Sequence, residues 1–226
     1  MRGLGEKARE KIEPLLSGHR PTTLEAWATA SGLTVAQLRA LAEAGAFDTL
    51  WPNRRSALWE LLKHARGAAG PLAPVPADRR AAPVPPLTPV ELTEADYRVT
   101  GLSPAGHPLR HLREALRAQG VTRAADLCRR RDGDRVTVAG IVICRQRPGT
   151  AKGFCFVTLE DESGLANVVI TPKLFAANKR LVVRSPLLIV RGVLQEEQGV
   201  LNVRGKTFAA QGPGAGAAFV ASHDFH

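Results

Sequence analysis

The chain is short of the residues from which disulfide scaffolds, zinc sites and membrane spans are built. Its three cysteines are an odd number with no C-x-x-C pair, and no Cys/His cluster has zinc spacing; we therefore expect a reducing compartment and no metal. No run of about 18 apolar residues occurs, so the sequence predicts no membrane-spanning helix and no membrane partner. The N-terminus leads into a charged stretch and not into a signal peptide, which predicts a cytoplasmic protein.

Aromatic residues are also scarce, at 5% against 44% hydrophobic residues, so the core must be built from Leu, Val, Ala and Ile. Basic residues are plentiful: 31 Lys and Arg against 21 Asp and Glu give a net charge of +10. That charge attracts polyanions, of which nucleic acid is the first candidate, although a generally basic proteome would have the same balance. Residues 133–210 are the most basic part, with eleven basic and six acidic residues.

The N-terminal part has the pattern of a small helical unit over residues 1–65. Apolar residues at helical spacing predict four helices, at 6–17, 23–30, 34–44 and 54–65. Thr34 is a candidate N-cap and Gly45 a candidate stop for the third helix. Residues 66–92 contain seven prolines amid Ala and Gly, which predicts an extended linker.

A helical connector is predicted over 93–132, with a helix at 107–119 that turns Leu109, Leu112 and Leu116 inward and its arginines outward. From Arg135 the apolar period changes to two. Five strands follow, with one helix, 171–180, between the third and the fourth. This is the element order of the OB fold, a five-stranded Greek-key barrel. The sequence thus predicts an α+β chain whose OB domain covers 133–210, followed by a flexible tail, 211–226.

The second predicted strand suggests a nucleic-acid-binding face. Alternation places Cys155, Val157 and Leu159 in the core, and Phe154 and Phe156 on the outside. Exposed aromatic rings are typical of base-stacking surfaces. Cations that we expect around them are Arg145, Arg147, Lys152 and Lys206. The alternative is that the helix at 107–119 or another loop covers the phenylalanines.

Three other motifs have weaker signals. Gly3-Leu4-Gly5, followed by Lys7, has the pattern of a hairpin that opens a helix and binds phosphate, although an ordinary tight turn has the same pattern. Asp132-Gly133-Asp134 has the spacing of a two-metal site, but a polar turn explains it better. His107 and His111 are spaced as two metal ligands could be, yet their basic neighbours favour a solvated face.

Several segments together resemble the C-terminal region of the error-prone DNA polymerase that is related to the bacterial DNA polymerase III alpha subunit. They are RGLGEKAREKI, LRALAEAGAFDTL, RRSALWELL, DYRVTGLSPAGHPLRHLRE, VTVAGIVICRQRPGTAKGFCFVTLEDESGLANVVI and SHDFH. The resemblance implies a helix-hairpin-helix that grips duplex DNA, of which this sequence holds the second half, and an OB domain that handles single-stranded template. It also implies a role in translesion synthesis during DNA damage repair and replication. The barrel resembles, in addition, the anticodon-binding OB domain of class II aminoacyl-tRNA synthetases. That similarity implies that Phe156 stacks on a base and that Asn167 contacts one.

In the polymerase family, palm aspartates transfer deoxynucleotides with Mg²⁺, and this sequence contains no palm. We therefore expect no catalytic residue and no cofactor in this chain, and single-stranded or primer-template DNA as its partner. A polymerase catalytic chain and other mutasome proteins are further expected partners. Two alternatives remain open at this stage: a fragment of a full-length polymerase, and a stand-alone OB-fold or mutasome-interaction module.

Overall fold

A computed structural model describes residues 4–18, 20–51, 53–67, 84–210 and 223–225. The chain divides into two compact units, Met1–Gly101 and Leu102–His226. None of the helices in the described residues is long and apolar enough to cross a membrane. Gly3 of the predicted phosphate-binding hairpin lies outside the described residues.

The first unit contains five helices: α1 (Glu6–Ser17), α2 (Leu24–Ser31), α3 (Val35–Glu43), α4 (Arg54–Gly67) and α5 (Pro89–Thr100). Local chemistry sets their ends. Thr34 forms a capping box with Gln37 at the start of α3, which satisfies backbone donors that the helix itself leaves free. Gly45, after the end of α3, has φ +78°, a left-handed conformation that glycine adopts without strain.

The helix α5 begins at Pro89, inside the stretch that composition predicts as a linker. Proline lacks only an N–H that the first turn of a helix would leave free, so it fits there. Thr88 and Glu91 complete a capping box around it. The side chain of α5 residue Asp96 is 5% exposed and forms an ion pair with Arg54 at 2.6 Å, which ties α5 to α4.

The core of this unit joins α1, α2, α3 and α4 through small and aliphatic side chains and two aromatic rings. Trp27 meets Phe47 edge-on, with the ring centroids 5.9 Å apart. The buried members are Ala8, Leu24, Trp27, Leu33, Leu38, Leu41, Ala42, Phe47, Ala57 and Leu61.

The second unit begins with short helical turns in place of the single helix predicted at 107–119. A 3-10 helix, Pro108–Leu112, leads into α6 (Arg113–Ala118), and a second 3-10 helix spans Ala124–Arg129. His107 caps the first turn by accepting a hydrogen bond from the Leu109 N–H at its Nδ1. Leu109 and Leu116 are fully buried, as the pattern predicts. Arg113 differs from its predicted outward position, because it bends onto Glu162 and Asp161 at the turn after the second strand.

The barrel consists of β1 (Arg135–Gln146), β2 (Cys155–Asp161), β3 (Gly164–Ile170), β4 (Leu187–Glu197) and β5 (Val200–Ala210), with α7 (Pro172–Arg184) between β3 and β4. The strand order is β2-β3-β5-β4-β1, and β1 also pairs with β2, which closes the sheet. Only β3 and β5 run parallel among these five. This is the OB fold, so the predicted fold class is confirmed.

Two glycines allow the strands of the barrel to approach closely. A Cβ on Gly140 would lie 2.7 Å from the Cβ of Leu159, and a Cβ on Gly192 would overlap the carbonyl oxygen of Arg204. Both positions therefore admit no side chain without a shift of the neighbouring strand. The predicted inward residues Cys155, Val157 and Leu159 are buried in the barrel core.

The segment that the sequence predicts as a flexible tail contains a short strand, β6 (His223–Phe225). It pairs in parallel with residues 144–146 of β1. At Ile141 the pairing of β1 with β4 ends, which leaves backbone groups of the following residues open to another strand. The open edge of β1 therefore provides the pairing partner for β6.

Candidate nucleic-acid interface

One irregularity in β1 decides which arginine faces outward. Val142 pairs with Leu159, but Cys144 pairs with Thr158, so Ile143 is an extra residue in β1. An extra residue reverses the inside–outside alternation of everything after it. Cys144 therefore shares the outer face with Thr158, and Arg145 turns to the inner side.

Arg145 is consequently a buried residue and not part of the outer face on which the sequence places it. It is 8% exposed. Its Nε donates to the carbonyl oxygen of Val182 at 2.8 Å, and its Nη2 donates to that of Ser185 at 2.7 Å. Both acceptors lie at the end of α7, where carbonyls have no partner within the helix. Arg145 thus fixes α7 to the barrel.

On the outside of β1, β2, β3 and β5, the strand register sets two rows of side chains. We call these two rows together the outer face. The first row holds Gln146, Phe156, Val169 and Arg204. The second row holds Cys144, Thr158, Asn167 and Asn202.

Phe156 is the exposed aromatic ring of this face, with 39% of its surface open to solvent. It is not a member of the buried barrel core. Phe154 differs: it precedes β2, is half-buried, and its N–H donates to the carbonyl of Ala151 in the loop. The flat surface on this face is therefore supplied by Phe156.

Asn167 lies diagonally across from Phe156, in the neighbouring row. Diagonal neighbours in a sheet are about 7–8 Å apart, which long side chains can bridge. Thr158 donates a long hydrogen bond, 3.5 Å, to Oδ1 of Asn167. Asn167 is exposed, and its amide N–H groups can donate to the edge of a base that stacks on Phe156.

The loop that joins β1 to β2, the strand of Phe156, contains two exposed cations. Gln146 pairs with Phe156, and Arg147 follows directly. The guanidinium carbon of Arg147 lies 5.0 Å from the ring centroid of Phe175, a cation–π contact that holds the exposed side chain in place. Lys152 is exposed at the other end of the loop. Both cations therefore lie in the loop that connects the strands of Gln146 and Phe156.

Strand β5 adds a second pair of cations, Arg204 and Lys206, both exposed. Arg204 shares the row of Phe156 two strands away, about 10 Å. Arg204 and Asn202 are absent from the residues selected by sequence reasoning, although the alternation in VLNVRGK carries the signal. The cations Arg147, Lys152, Arg204 and Lys206 form no ion pair with other described residues.

The remaining motifs lie on other elements of the chain. Gly5 precedes α1 as its N-cap and Lys7 is exposed in the first turn. The carboxylates of Asp132 and Asp134 accept hydrogen bonds from the backbone N–H groups of Glu196 and Arg131, so this pair forms a polar turn, as expected. The described residues contain no group of three or more candidate metal ligands.

Comparison with known families identifies the class of domain. Residues 136–208 match the family described as OB-fold nucleic acid binding domain. The barrel is therefore an OB-fold nucleic-acid-binding domain. Among solved structures, asparaginyl-tRNA synthetase from Pyrococcus horikoshii is similar to 39% of this chain and 22% of its own, with a TM-score of 0.34 and 19% identity.

Curated relatives then identify the particular protein to which the chain is related. A protein of Mycolicibacterium paratuberculosis named error-prone DNA polymerase is 40% identical over 209 residues, which cover 90% of this chain. One of the same name from Burkholderia pseudomallei is 41% identical over 201 residues. The chain is homologous to error-prone DNA polymerase, which confirms the resemblance. It spans 19% of the length of these relatives.

Proposed function

We propose that this chain is a single-stranded-DNA-binding part of an error-prone DNA polymerase, and that the outer face of its barrel holds the template strand. The exposed ring of Phe156, the amide of Asn167 diagonally across from it and the exposed cation Arg147 in the adjoining loop carry the proposal. A base stacked on the ring would contribute about 1–3 kcal/mol, and the cations would neutralise the adjacent phosphates.

Three features favour a single strand over a duplex. A ring can stack only on a base whose face is free, which a paired and stacked duplex does not offer. The amide of Asn167 lies diagonally across from the ring, and Asn202 pairs with Asn167 on β5, so both amides share the face of the ring and can meet the edge of an unpaired base. The cations lie on both sides of the ring, in the loop and on β5, so a backbone crossing the face meets charge at each side.

We further propose that the chain contributes template handling to translesion synthesis, while nucleotide transfer depends on aspartates outside it. The homology to error-prone DNA polymerase supports this assignment. The only D-x-D pair in the sequence, Asp132 and Asp134, is occupied by backbone hydrogen bonds. The exposed Gly5 and Lys7 at the start of α1 are consistent with a phosphate contact in the first unit.

The test is a titration of fluorescent single-stranded DNA into the full chain at several salt concentrations. We expect Phe156→Ala to weaken binding about 5- to 100-fold with little change in the salt slope, because the ring carries no charge. We expect Arg147→Ala to weaken binding and to reduce the slope of log K against log salt by about 0.7.

Matched variants separate stacking from apolar contact. Phe156→Tyr retains a flat ring and should bind as the wild type does, whereas Phe156→Leu retains apolar surface and should bind as weakly as Phe156→Ala. Val183→Ala, which removes an exposed apolar side chain of α7, should have no effect. Equal binding by the wild type, Phe156→Ala and Arg147→Ala would refute the proposed face.

A further inference from the structure

A second cationic surface lies in the same unit, away from the outer face. It is a cleft of about 780 Å³ between α6 and the 3-10 helix Ala124–Arg129. We call it the arginine cleft. Its lining contains five arginines and one acidic residue: Arg113, Arg117, Arg123, Arg129, Arg130 and Asp126.

The walls of the arginine cleft are fixed by the barrel. Arg113 donates from Nη2 to Glu162 at 2.7 Å and to Asp161 at 3.1 Å, at the turn between β2 and β3. The Ala124 N–H donates to Asp161 at 2.9 Å. Between the two walls, the N–H of Thr122 donates to the carbonyl of Thr137 in β1. The cleft is therefore a preformed feature of the unit.

Positive charge in the cleft exceeds what its own acid neutralises. Arg123 and Arg129 both pair with Asp126. The hydrogen bond from Arg123, together with the charges of the surrounding arginines, lowers the pKa of the Asp126 carboxyl. Arg117 and Arg130 are exposed and pair with no acid in the described parts of the chain.

One donor at the cleft is buried without an acceptor. Nη1 of Arg113 has no hydrogen-bond partner among the described residues. This atom lies inside the protein, out of contact with solvent, so the donors that the cleft offers to a ligand are those of its exposed arginines.

The chemistry of the lining favours phosphate groups over a protein partner. Protein interfaces bury apolar and aromatic side chains at their centre. The large apolar side chains exposed in the described residues lie elsewhere, and none of them lines this cleft. Guanidinium groups bind phosphate through two parallel hydrogen bonds, and several around one cleft suit a chain of phosphates.

The position of the cleft relates it to the outer face. Phe156 lies near the start of β2, and the turn that anchors the cleft begins at Asp161, five residues further along. At about 3.3 Å per residue, these points are roughly 17 Å apart. A strand of several nucleotides that runs along β2 would span this distance.

We infer that the arginine cleft is a second binding site for the phosphate backbone of a single nucleic-acid strand, beyond the part held on the outer face. Arg117 and Arg130 supply the charge, and Arg113, which Glu162 and Asp161 hold, fixes the wall of the cleft. This inference rests on the proposed function, because the strand must first be held at Phe156. Binding at the cleft extends the contact without reading bases, since phosphate contacts carry no sequence information.

The experiment compares two lengths of labelled oligodeoxythymidine. One of about 5 nucleotides is near the lower limit of what an OB fold covers, and one of about 20 nucleotides exceeds the upper limit. The double variant Arg117→Ala/Arg130→Ala in the full chain should weaken binding of the long strand at least fivefold and reduce its salt slope by about 1.4. Binding of the short strand should stay unchanged.

The matched control is Arg180→Ala/Arg184→Ala, which removes the same charge from exposed positions on α7. An equal loss with this control, or an equal loss on both lengths, would overturn the assignment to the cleft. Loss of binding to an acidic peptide but not to the long strand would assign the cleft to a protein. Phe156→Ala separates the two proposals, because it weakens both lengths if the outer face binds, whether or not the cleft does.

Discussion

The helical unit and the binding surface proposed on the barrel differ in what their arginines contact. In the helical unit, Arg9, Arg39, Arg54, Arg55 and Arg98 each form an ion pair with an acidic residue of the same unit. On the outer face of the barrel Arg204, and in the loop after β1 Arg147, pair with no acid among the described residues. The comparison teaches that net charge alone does not locate a binding surface. Cations become available to a polyanion only where the fold leaves them without an internal partner.

The largest expected effect on the free energy of unfolding comes from a buried ion pair of the helical unit. Arg54 and Asp96 have side chains that are 12% and 5% exposed. Replacing Arg54 by Ala removes the cation that faces the buried carboxylate of Asp96, which costs about 3–5 kcal/mol. We expect Arg54→Ala to lower the urea midpoint of the helical unit accordingly, with circular dichroism as the measurement.

A matched control for that variant is Arg9→Ala, which removes an exposed pair between Arg9 and Glu13 on α1. Such pairs contribute about 0–1 kcal/mol. If Arg9→Ala destabilises the unit as much as Arg54→Ala, burial is not what distinguishes the two pairs. Neither variant should change the affinity of the barrel for single-stranded DNA.

The next largest effect on stability compares a buried arginine at the end of β1, Arg145, with an exposed one just after it, Arg147. Arg145→Ala removes two donors from buried carbonyl groups at the end of α7. Hydrogen bonds from a charged donor contribute about 1.5–3 kcal/mol each, so we expect a loss of about 3 kcal/mol in the free energy of unfolding. Arg147→Ala should change that free energy by less than about 0.5 kcal/mol, as exposed substitutions do.

Thermal unfolding and DNA titration of the two variants together test whether Arg145 stabilises the fold and Arg147 binds DNA. Arg145→Ala should lower the melting temperature, and Arg147→Ala should lower DNA affinity at an unchanged melting temperature. The reverse result would mean that the bulge at Ile143 does not turn Arg145 inward. Similar melting temperatures for both variants would also contradict the structure.

The smallest expected effect is on how the free energy of unfolding of the barrel unit depends on pH. It comes from His107, in the helical turn before α6. Burial lowers the pKa of His107, and nearby carboxylates, Glu160 first, oppose this only in part. An unfolded histidine titrates near pH 6.5, so below that pH the unfolded chain binds a proton that the folded chain does not. The contribution of the neutral His107 to stability is therefore present above about pH 6.5 and is lost as the pH falls below that value.

We expect this loss to be at most about 1.4 kcal/mol per pH unit, measured by urea unfolding at two pH values. His107→Asn retains an acceptor that can cap the turn and cannot titrate in this range. The variant should therefore lose less stability than the wild type between neutral and mildly acidic pH. Identical losses in the two proteins would show that His107 contributes nothing to the dependence.

Much of the fold could be predicted from the sequence because local rules govern it. The period-two pattern from Arg135 identified five strands, and alternation placed Cys155, Val157 and Leu159 in the core. The helix at 107–119 was predicted less well, since its leucine spacing does not reveal that Pro108 starts a 3-10 turn. The linker was predicted to extend to residue 92, because all seven prolines in this stretch were interpreted as linker residues. The last of them, Pro89, is the first residue of a helix.

The candidate site shows where local rules end. Phe156 and Asn167 could be selected from alternation and resemblance, and the structure places them as diagonal neighbours. The outward position predicted for Arg145 was wrong, because a single extra residue in β1 reverses its side. The arginine cleft was not predicted at all, since its arginines are spread over the chain from Arg113 to Arg130 and only folding brings them around one space.

The sequence by itself determined the order of helices and strands, the apolar residues of the core and the excess of positive charge. These follow from backbone periodicity, side-chain polarity and composition, each of which acts over a few residues. The tertiary structure decided which cations are buried, which are paired and which stay open to a nucleic acid. That decision depends on strand register and on contacts between distant residues, because one bulge or one nearby carboxylate changes what an arginine can bind.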